Sequence, residues 1–302
     1  ARRRARLGTR ARLNVSTNPR AFAHQLLGRI EAIAALAPLP AVAAVHLPLA
    51  ADEGSRESEF CGVELEDGSI GLSFLLLGDT FARLRGDSPA RSLRGTPALE
   101  LARGYLGDDP VRRTLGFAAV NAISQRFFRQ AGYALDTAAD SIGSLNPQPG
   151  ERIGMVGLFG PLVPRIVEAG ASLVVLELQS RLAGERDGWR VTLDPADLAD
   201  CEKVLSTTTV LLNDTLDAVL ASVRAARWVA LVGPGGGCVP DDLFARGVTL
   251  LGGTTIVDRD GFAGAVARGE AWGRYARKYV VARDRYPGFE RLAARIASRS
   301  GT

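Results

Sequence analysis

Glycines are concentrated at one point where they could let the backbone approach a bound molecule. The segment 153–161 reads IGMVGLFGP and places glycines at 154, 157 and 160. It follows a short apolar run and precedes a helical pattern, and helix amino termini offer free N–H groups. The spacing is GxxGxxG, with Phe159 where the dinucleotide-binding pattern has its second glycine. The segment therefore predicts either ligand contact or close helix–sheet packing.

Polar side chains follow the next two predicted strands. Glu177 ends the first of them, 20 residues after the middle glycine. A carboxylate there could accept hydrogen bonds from ribose hydroxyls, bind a cation, or lie in solvent. Thr207 and Thr208 follow the second strand with a pair of hydroxyls. Asn213 and Thr215 come next and could contact the ligand or cap the following helix.

A second glycine-rich loop, GPGGGCVP over residues 233–240, follows a fourth predicted strand. So many glycines favour either a flexible loop or one that closely approaches another group. Cys238 has no His or Lys beside it in the sequence to lower its pKa, so a catalytic thiolate is not expected.

Asn121 interrupts an apolar helix and needs a polar partner. It could form a structural hydrogen bond or face a ligand, and we predict that it points toward the turn at Gly157–Gly160.

The sequence thus predicts one ligand-binding site built from loops that meet at one sheet edge. Its candidate residues are Asn121, Gly154, Gly157, Phe159, Gly160, Glu177, Thr207, Thr208, Asn213, Thr215, Gly233 and Pro234. No catalytic or metal-ligating residue is assigned.

The elements that must position these residues differ between the two halves of the chain. Apolar residues at helical spacing predict a helix over 20–37, and a hairpin of strands is predicted over 60–77. Another helix is predicted over 109–130, with Asp109 and Pro110 as its start. This order indicates a small α+β domain over residues 20–145.

From residue 146 onward, short apolar strands alternate with helices. That alternation predicts a Rossmann-like open parallel sheet with helices on both faces. The cluster Asn146–Gly150 (NPQPG) marks the boundary. We therefore predict an arm at 1–19, the α+β domain at 20–145, and a Rossmann-like ligand-binding domain at 146–302 that ends in a helical segment.

Charge and cysteine content exclude several classes of protein. The arm carries six arginines in residues 1–12, and without them 31 of the 37 basic residues remain against 33 acidic ones. The nearly neutral body makes nucleic acid an unexpected partner, except through the arm itself. No stretch is long and apolar enough for a membrane helix. Three scattered cysteines and two histidines predict free thiols, a reducing cytoplasm and no zinc site of common spacing. Association into a homo-oligomer is compatible with the sequence.

Several segments together are similar to the putative heavy-metal chelation family. These segments are GFAAVNA (116–122), IGMVGLF (153–159), VLE (175–177), TTVLLNDTL (208–216), LVGP (231–234) and LFARGV (243–248) leading to Gly252 and Gly253. The resemblance implies an enolase-amino-terminal-like domain followed by a Rossmann-like domain. It also implies metal handling, for which Glu177 or Asp214 could bind a hard cation. The family pattern has small polar residues where this chain has Gly235–Cys238, so contacts in that loop could differ.

Two functions remain open on this basis. The first is a binding protein that holds a metal, a metal chelate or a small anionic molecule in the cleft between the domains, with a divalent metal as its cofactor. The alternative is an enzyme that uses a nucleotide-type cofactor, NAD(P) or S-adenosylmethionine.

Overall fold

The computed structural model describes residues 20–49, 56–86, 92–139 and 143–300. The predicted basic arm at 1–19 lies outside the described residues. The helices of the described part are α1 Ala21–Leu36, α2 Thr80–Gly86, α3 Ala98–Arg103, α4 Pro110–Gln130, α5 Val163–Glu168, α6 Leu216–Ser222, α7 Asp241–Phe244, α8 Arg259–Arg268 and α9 Phe289–Ser300. The strands are β1 Val42–His46, β2 Phe60–Leu65, β3 Ile70–Phe74, β4 Arg152–Val156, β5 Ser172–Leu176, β6 Gly184–Arg186, β7 Trp189–Thr192, β8 Lys203–Thr207, β9 Trp228–Val232, β10 Leu250–Ile256 and β11 Ala276–Ala282.

The leading unit is a small antiparallel sheet covered by helices. Its strands lie in the order β1-β2-β3, and α4 packs against β3 and β2. Helix α4 begins as the sequence predicts, because the Asp109 carboxylate accepts a hydrogen bond from the Arg112 N–H at 2.9 Å and Pro110 opens the first turn. The helix is buried along most of its length, since it lies between this sheet and the second unit. It is therefore the element that joins the two halves.

The second unit is a mostly parallel, eight-stranded sheet in the order β11-β10-β9-β8-β4-β5-β7-β6. The six strands from β10 to β7 run parallel to their neighbours, as predicted. The two strands at the edges of the sheet, β11 and β6, add antiparallel pairs to this parallel sheet. Strand β11 pairs antiparallel with β10, and β6 pairs antiparallel with β7. Strand β11 also replaces part of the predicted carboxy-terminal helical segment, so only α9 is helical there.

The central strands are short and apolar, as expected for strands buried on both faces. Residues Ile153–Val156 of β4 and Leu173–Leu176 of β5 are buried. One core cluster runs from the leading unit into the second, through side chains such as Phe117, Val239 and Leu251. The two units therefore share a hydrophobic core, although the predicted boundary at 146–150 stays a prediction.

None of the helices in the described part of the chain combines the length and the apolarity needed to cross a bilayer.

Candidate ligand-binding site

The order of the parallel strands defines where a ligand would bind. Counted along the chain, β4, β5, β7, β8, β9 and β10 occupy the order 3-2-1-4-5-6 in the sheet. Strands β4 and β8 are neighbours, but the chain continues from β4 to β5 on one side and from β8 to β9 on the other side. The loops that follow β4 and β8 therefore diverge and leave a crevice between them. Open α/β sheets bind ligands at this switch point, outside the carboxyl ends of the strands. We call the space between the loops after β4 and β8 the switch crevice.

Gly157 forms one wall of the switch crevice. Its φ of +81° lies in the left-handed region, where only glycine is free of strain. Its N–H donates to the Leu176 carbonyl at 2.9 Å, which anchors the turn to β5. A Cβ at this position would lie 3.1 Å from Cγ2 of Thr207. The glycine is thus required both by the turn and by the close approach of the next loop.

Glu177 secures the same turn from the end of β5. Its Oε1 accepts a hydrogen bond from the Leu158 N–H at 2.8 Å, and its Oε2 accepts one from the Leu178 N–H at 3.1 Å. The carboxylate is half-buried. The predicted proximity of Glu177 to the glycine turn is therefore found, with backbone N–H groups as its partners.

Phe159 and Gly160 complete the turn. The Phe159 N–H points to the Met155 sulfur at 3.2 Å, and the ring packs on the cluster beneath the turn. Gly160 is exposed, and no described atom lies within 4 Å of a Cβ placed on it. The space beside Gly160 is open to a ligand.

The threonines after β8 form the opposite wall. Thr207 caps the short 3-10 turn Thr208–Leu211, because its Oγ1 accepts a hydrogen bond from the Thr209 N–H at 3.2 Å. The Oγ1 atoms of Thr207 and Thr209 are 3.0 Å apart. The threonine wall of the crevice therefore carries hydroxyls that could bind an oxygen-rich molecule.

Thr208 turns away from these two threonines and into the loop after β9. It is buried, and a Cβ at Gly233 would lie 2.5 Å from its Oγ1. The loop is also packed rather than flexible, since residues 235–240 are buried. The glycines here serve close packing, and Gly233 and Pro234 are half-buried at its start.

Asn121 does not contact the turn at Gly157–Gly160, so that prediction is wrong. Its amide nitrogen donates to the Leu72 carbonyl at 2.8 Å and to the Gly235 carbonyl at 3.0 Å. One turn later, Gln125 donates to the Gly237 carbonyl at 3.1 Å. Helix α4 thus carries amides that satisfy the buried carbonyls of the loop after β9. Asn121 joins the two units structurally.

Asn213 and Thr215 are hydrogen-bonded to each other. Oδ1 of Asn213 accepts hydrogen bonds from the Thr215 N–H at 3.2 Å and from its hydroxyl at 2.6 Å. These bonds form an Asx turn ahead of α6. The predicted side-chain cap is not formed, because Thr215 is the N-cap of α6 and makes no side-chain capping bond.

Asp214, between them, is not available to bind a cation. It has a positive φ of 61°. The guanidinium of Arg113 binds both of its oxygens at 2.7 and 2.8 Å, and Arg20 reaches it at 3.2 Å. Through these bonds, the Asp214 carboxylate joins the loop after β8 to the leading unit.

Gly154 lies inside β4 and not in the turn. A Cβ there would meet Val204, Cys201 and Leu198 at 3.1–3.2 Å. The structure therefore supports close packing at Gly154, and its predicted contact with a ligand stays a prediction.

The described residues do not fit a heavy-metal ion held by side chains alone. No group of three or more His, Cys, Asp or Glu converges among residues 20–49, 56–86, 92–139 and 143–300. Cys61, Cys201 and Cys238 are buried and unpaired, as predicted. Burial raises the pKa of Cys61 and of Cys238 to about 12, which disfavours the thiolate that binds soft metals. His46 bonds Glu64 at 2.7 Å in the leading unit.

Sequence reasoning missed the contacts that place the leading unit over the carboxyl edge. The Tyr105 hydroxyl donates to the Leu211 carbonyl, Arg113 binds Asp214, and Gln125 donates to the Gly237 carbonyl at 3.1 Å. Each joins residues more than 100 positions apart in the chain, and no local pattern marks such pairs.

Comparison with known proteins identifies relatives for both units. Two family signatures, each described as putative heavy-metal chelation, match residues 58–124 and 140–283. An uncharacterized protein from Methanocaldococcus jannaschii is 33% identical over 156 residues, which cover 50% of this chain and 58% of that protein. This chain therefore spans less than two thirds of that relative's length.

Two solved structures share the fold. A protein of unknown function from the DUF364 family of Pyrococcus horikoshii has a TM-score of 0.62 at 20% identity, covering 85% of this chain and 99% of that one. A DUF364 protein from Desulfitobacterium hafniense DCB-2, also of unknown function, has a TM-score of 0.62 at 20% identity, covering 86% and 99%. At this identity the likeness establishes the α/β fold.

Proposed function

Because this chain belongs to the putative heavy-metal chelation family, we propose that it is a small-ligand binding protein. The ligand is a metal chelate or a small oxygen-rich anion, held in the switch crevice beside the leading unit. The observation that carries the proposal is that the Gly157 turn and the Thr207 loop flank the point where the strand order reverses, with open space beside Gly160.

A chelate reconciles the family description with the residues present. The described side chains offer no converging metal-ligand set. A metal that arrives inside an organic chelator brings its own ligands and needs only recognition of the chelator. The Thr207 and Thr209 hydroxyls can donate to chelator oxygens, and the open space at Gly160 admits them.

A second candidate is an enzyme with a nucleotide-type cofactor. The strand order and the position of Glu177 at the end of β5 favour it, since dinucleotide-binding sheets use an acidic residue there. Both oxygens of Glu177 already accept backbone N–H groups, so ribose would have to share or replace those bonds. The same experiment distinguishes the two candidates.

The test begins with native mass spectrometry of freshly purified protein, which reports any compound that co-purifies. A thermal-shift panel then compares Fe³⁺–citrate, citrate alone, free Ni²⁺, NAD⁺ and S-adenosylmethionine. A ligand present at 100 times its Kd stabilises the folded chain by ~2.7 kcal/mol. A shift with the chelate or with citrate supports the proposal, whereas a shift with NAD⁺ or S-adenosylmethionine alone supports the enzyme. A panel without any shift, together with no co-purified mass, contradicts both.

The variant Gly160→Leu tests whether the ligand binds in the switch crevice. A side chain at Gly160 meets no described atom within 4 Å and needs no positive φ, so the variant should fold and obstruct the ligand. Gly28→Leu is the matched control, because Gly28 is an equally open, exposed glycine on α1. We expect Gly160→Leu to weaken binding at least tenfold and Gly28→Leu to leave it unchanged. Equal affinities in the two variants would place the ligand elsewhere.

A further inference from the structure

The loop after β8 forms one wall of the switch crevice, and the leading unit binds this loop at its turn and at its end. We call the loop, residues 207–214, the threonine loop. At the turn, the Leu211 carbonyl accepts a hydrogen bond from the buried Tyr105 hydroxyl. At the end, the Asp214 carboxylate is bound by Arg113. The position of this wall therefore depends on a unit that contributes no strand to the large sheet.

The ion pair between Arg113 and Asp214 has the geometry of a strong contact. Nη1 and Nη2 of Arg113 lie 2.7 and 2.8 Å from the two carboxylate oxygens, and such bidentate pairs are stronger than single bonds. The two side chains are 11% and 28% exposed, so salt screens them less than a pair in open solvent. Arg20 adds a further bond to the same carboxylate at 3.2 Å.

Asp214 also has a backbone conformation that its contacts must maintain. Its φ of +61° lies in the left-handed region, which residues with a Cβ adopt at a cost in free energy. Such conformations persist where the surrounding structure enforces them. Without Arg113, the backbone of Asp214 can return to a common conformation, and the residues before it would then shift.

Hydrogen bonds inside the threonine loop connect its end to the crevice. The Thr209 carbonyl accepts the N–H groups of Leu212 and Asn213 at 2.9 and 3.2 Å. The Thr209 hydroxyl lies 3.0 Å from the Thr207 hydroxyl. The residue next to Asp214 is therefore bonded to a threonine whose hydroxyl belongs to the crevice wall.

We propose that Arg113 is a positioning residue for the switch crevice, and that the leading unit controls the affinity of the crevice through it. Arg113 fixes Asp214, and Asp214 fixes the end of the loop that carries the threonine hydroxyls. Loss of the pair leaves the chain folded, because the two units also share a hydrophobic core and the bond from Asn121 to Gly235. The inference rests on the function proposed above, since it concerns the affinity of the same site.

The test compares two arginines of α4 that differ in where their partners lie. Arg126 is 10% exposed and binds Asp67, which is 28% exposed, at 3.1 Å within the leading unit. Arg113→Gln thus removes an ion pair between the units, and Arg126→Gln removes a pair of equal burial inside one unit. Both variants should melt at a lower temperature than the parent. Only Arg113→Gln should weaken Fe³⁺–citrate, about tenfold, in calorimetry at a temperature where both variants are folded.

A double-mutant cycle tests whether Arg113 acts through Asp214. Asp214→Asn keeps the size of the side chain and removes its charge, and Asn tolerates a positive φ. Each single variant should weaken Fe³⁺–citrate about tenfold, and the double variant should lose no more than either single one. A loss of about a hundredfold in the double variant would mean that the two residues act independently, which would overturn the proposed route.

Amide hydrogen exchange of the ligand-free variants gives a second readout. Arg113→Gln should speed exchange at least tenfold, relative to Arg126→Gln, in peptides that cover residues 209–214. Peptides that cover residues 158–160 should exchange equally in the two variants. Equal exchange of 209–214 in both would show that Arg113 does not hold the loop.

The outcomes separate this inference from the function on which it rests. If the parent binds Fe³⁺–citrate and the two arginine variants bind it equally well, the positioning role is overturned and the proposed function stands. If the parent does not bind Fe³⁺–citrate, the failure lies in the proposed function, and the control of affinity by Arg113 falls with it.

Discussion

The contact between Gly157 and Thr207 supports a quantitative prediction about the architecture of the switch crevice. Gly157→Ala forces a side chain into a residue whose φ is +81°. A non-glycine residue in the left-handed region costs ~1–2 kcal/mol, offset by ~0.4–1 kcal/mol from the reduced freedom of the unfolded chain. The new Cβ would lie 3.1 Å from Cγ2 of Thr207, closer than the ~3.5–4.0 Å preferred by carbon pairs.

That overlap adds about 1 kcal/mol, at the lower end of the cost of overpacking. Thr207→Ser removes the Cγ2 atom and keeps the hydroxyl that accepts the Thr209 N–H. Gly157→Ala should therefore cost about 2 kcal/mol in the parent and about 1 kcal/mol in the Thr207→Ser background. The backbone strain remains in both.

Urea unfolding of the parent, the two single variants and the double variant measures this difference, provided that the slope of free energy against urea stays constant. Independent sites add within ~0.3–0.5 kcal/mol. A coupling of about 1 kcal/mol is expected. An equal cost of Gly157→Ala in both backgrounds would show that the two loops do not meet as described.

Three further predictions follow from buried groups. Cys61, Cys201 and Cys238 should react with a thiol reagent within minutes only after denaturation, because all are buried and burial raises the pKa of each; rapid reaction of the native chain would contradict their placement. Burial raises the pKa of the Glu151 carboxyl, but its buried lysine partner and a backbone N–H outweigh this effect and hold the pKa below its usual 4.5. Its contribution to stability is thus present at neutral pH and is lost as the pH falls through the folded-state pKa, so Glu151→Gln should destabilise at pH 7 and approach the parent as the pH falls below 4.5 in urea titrations; a constant difference across pH would be inconsistent with this. Asn121→Ala should lower the free energy of unfolding by about 2–4 kcal/mol, since two buried carbonyls lose their donor, and should leave ligand affinity per folded molecule unchanged.

Much of the α/β framework is predictable because it depends on local patterns. The boundaries of β2, β4 and β9 coincide with apolar runs in the sequence. The start of α4 follows from its acidic cap and proline. A parallel sheet could be expected from the alternation of strands and helices, which favours right-handed crossovers. Strand β7 and the order of the strands were not predicted.

Strand β6 escaped prediction because it lacks an apolar run, whereas the apolar run Tyr279–Val281 of β11 was overlooked. All three residues of β6 are exposed, so burial leaves no signal there. The Asp187–Gly188 pair between β6 and β7 is a hairpin signal that the sequence does contain. Strand β11 places Arg277 and Lys278 outward, and such charges are common on sheet edges.

The sequence predicted which sheet edge carries the candidate residues, but it did not predict the hydrogen-bond partners of those residues. The glycine turn, Glu177 and the threonines do lie at one sheet edge, because the carboxyl ends of parallel strands share that edge. Asn121 was assigned to the wrong loop, since its partners at Leu72 and Gly235 are 49 and 114 positions away in the chain. Such distant pairings depend on how the two units pack, which single-sequence patterns do not encode.

Amide hydrogen exchange tests the central claim most directly. The chain would be measured with and without Fe³⁺–citrate, or with whichever compound native mass spectrometry recovers. Ligand in the switch crevice should slow exchange in peptides that contain residues 158–160 and 207–209, where the turn and the threonine loop face each other. Protection confined to other segments, with these two unchanged at saturation, would contradict the account.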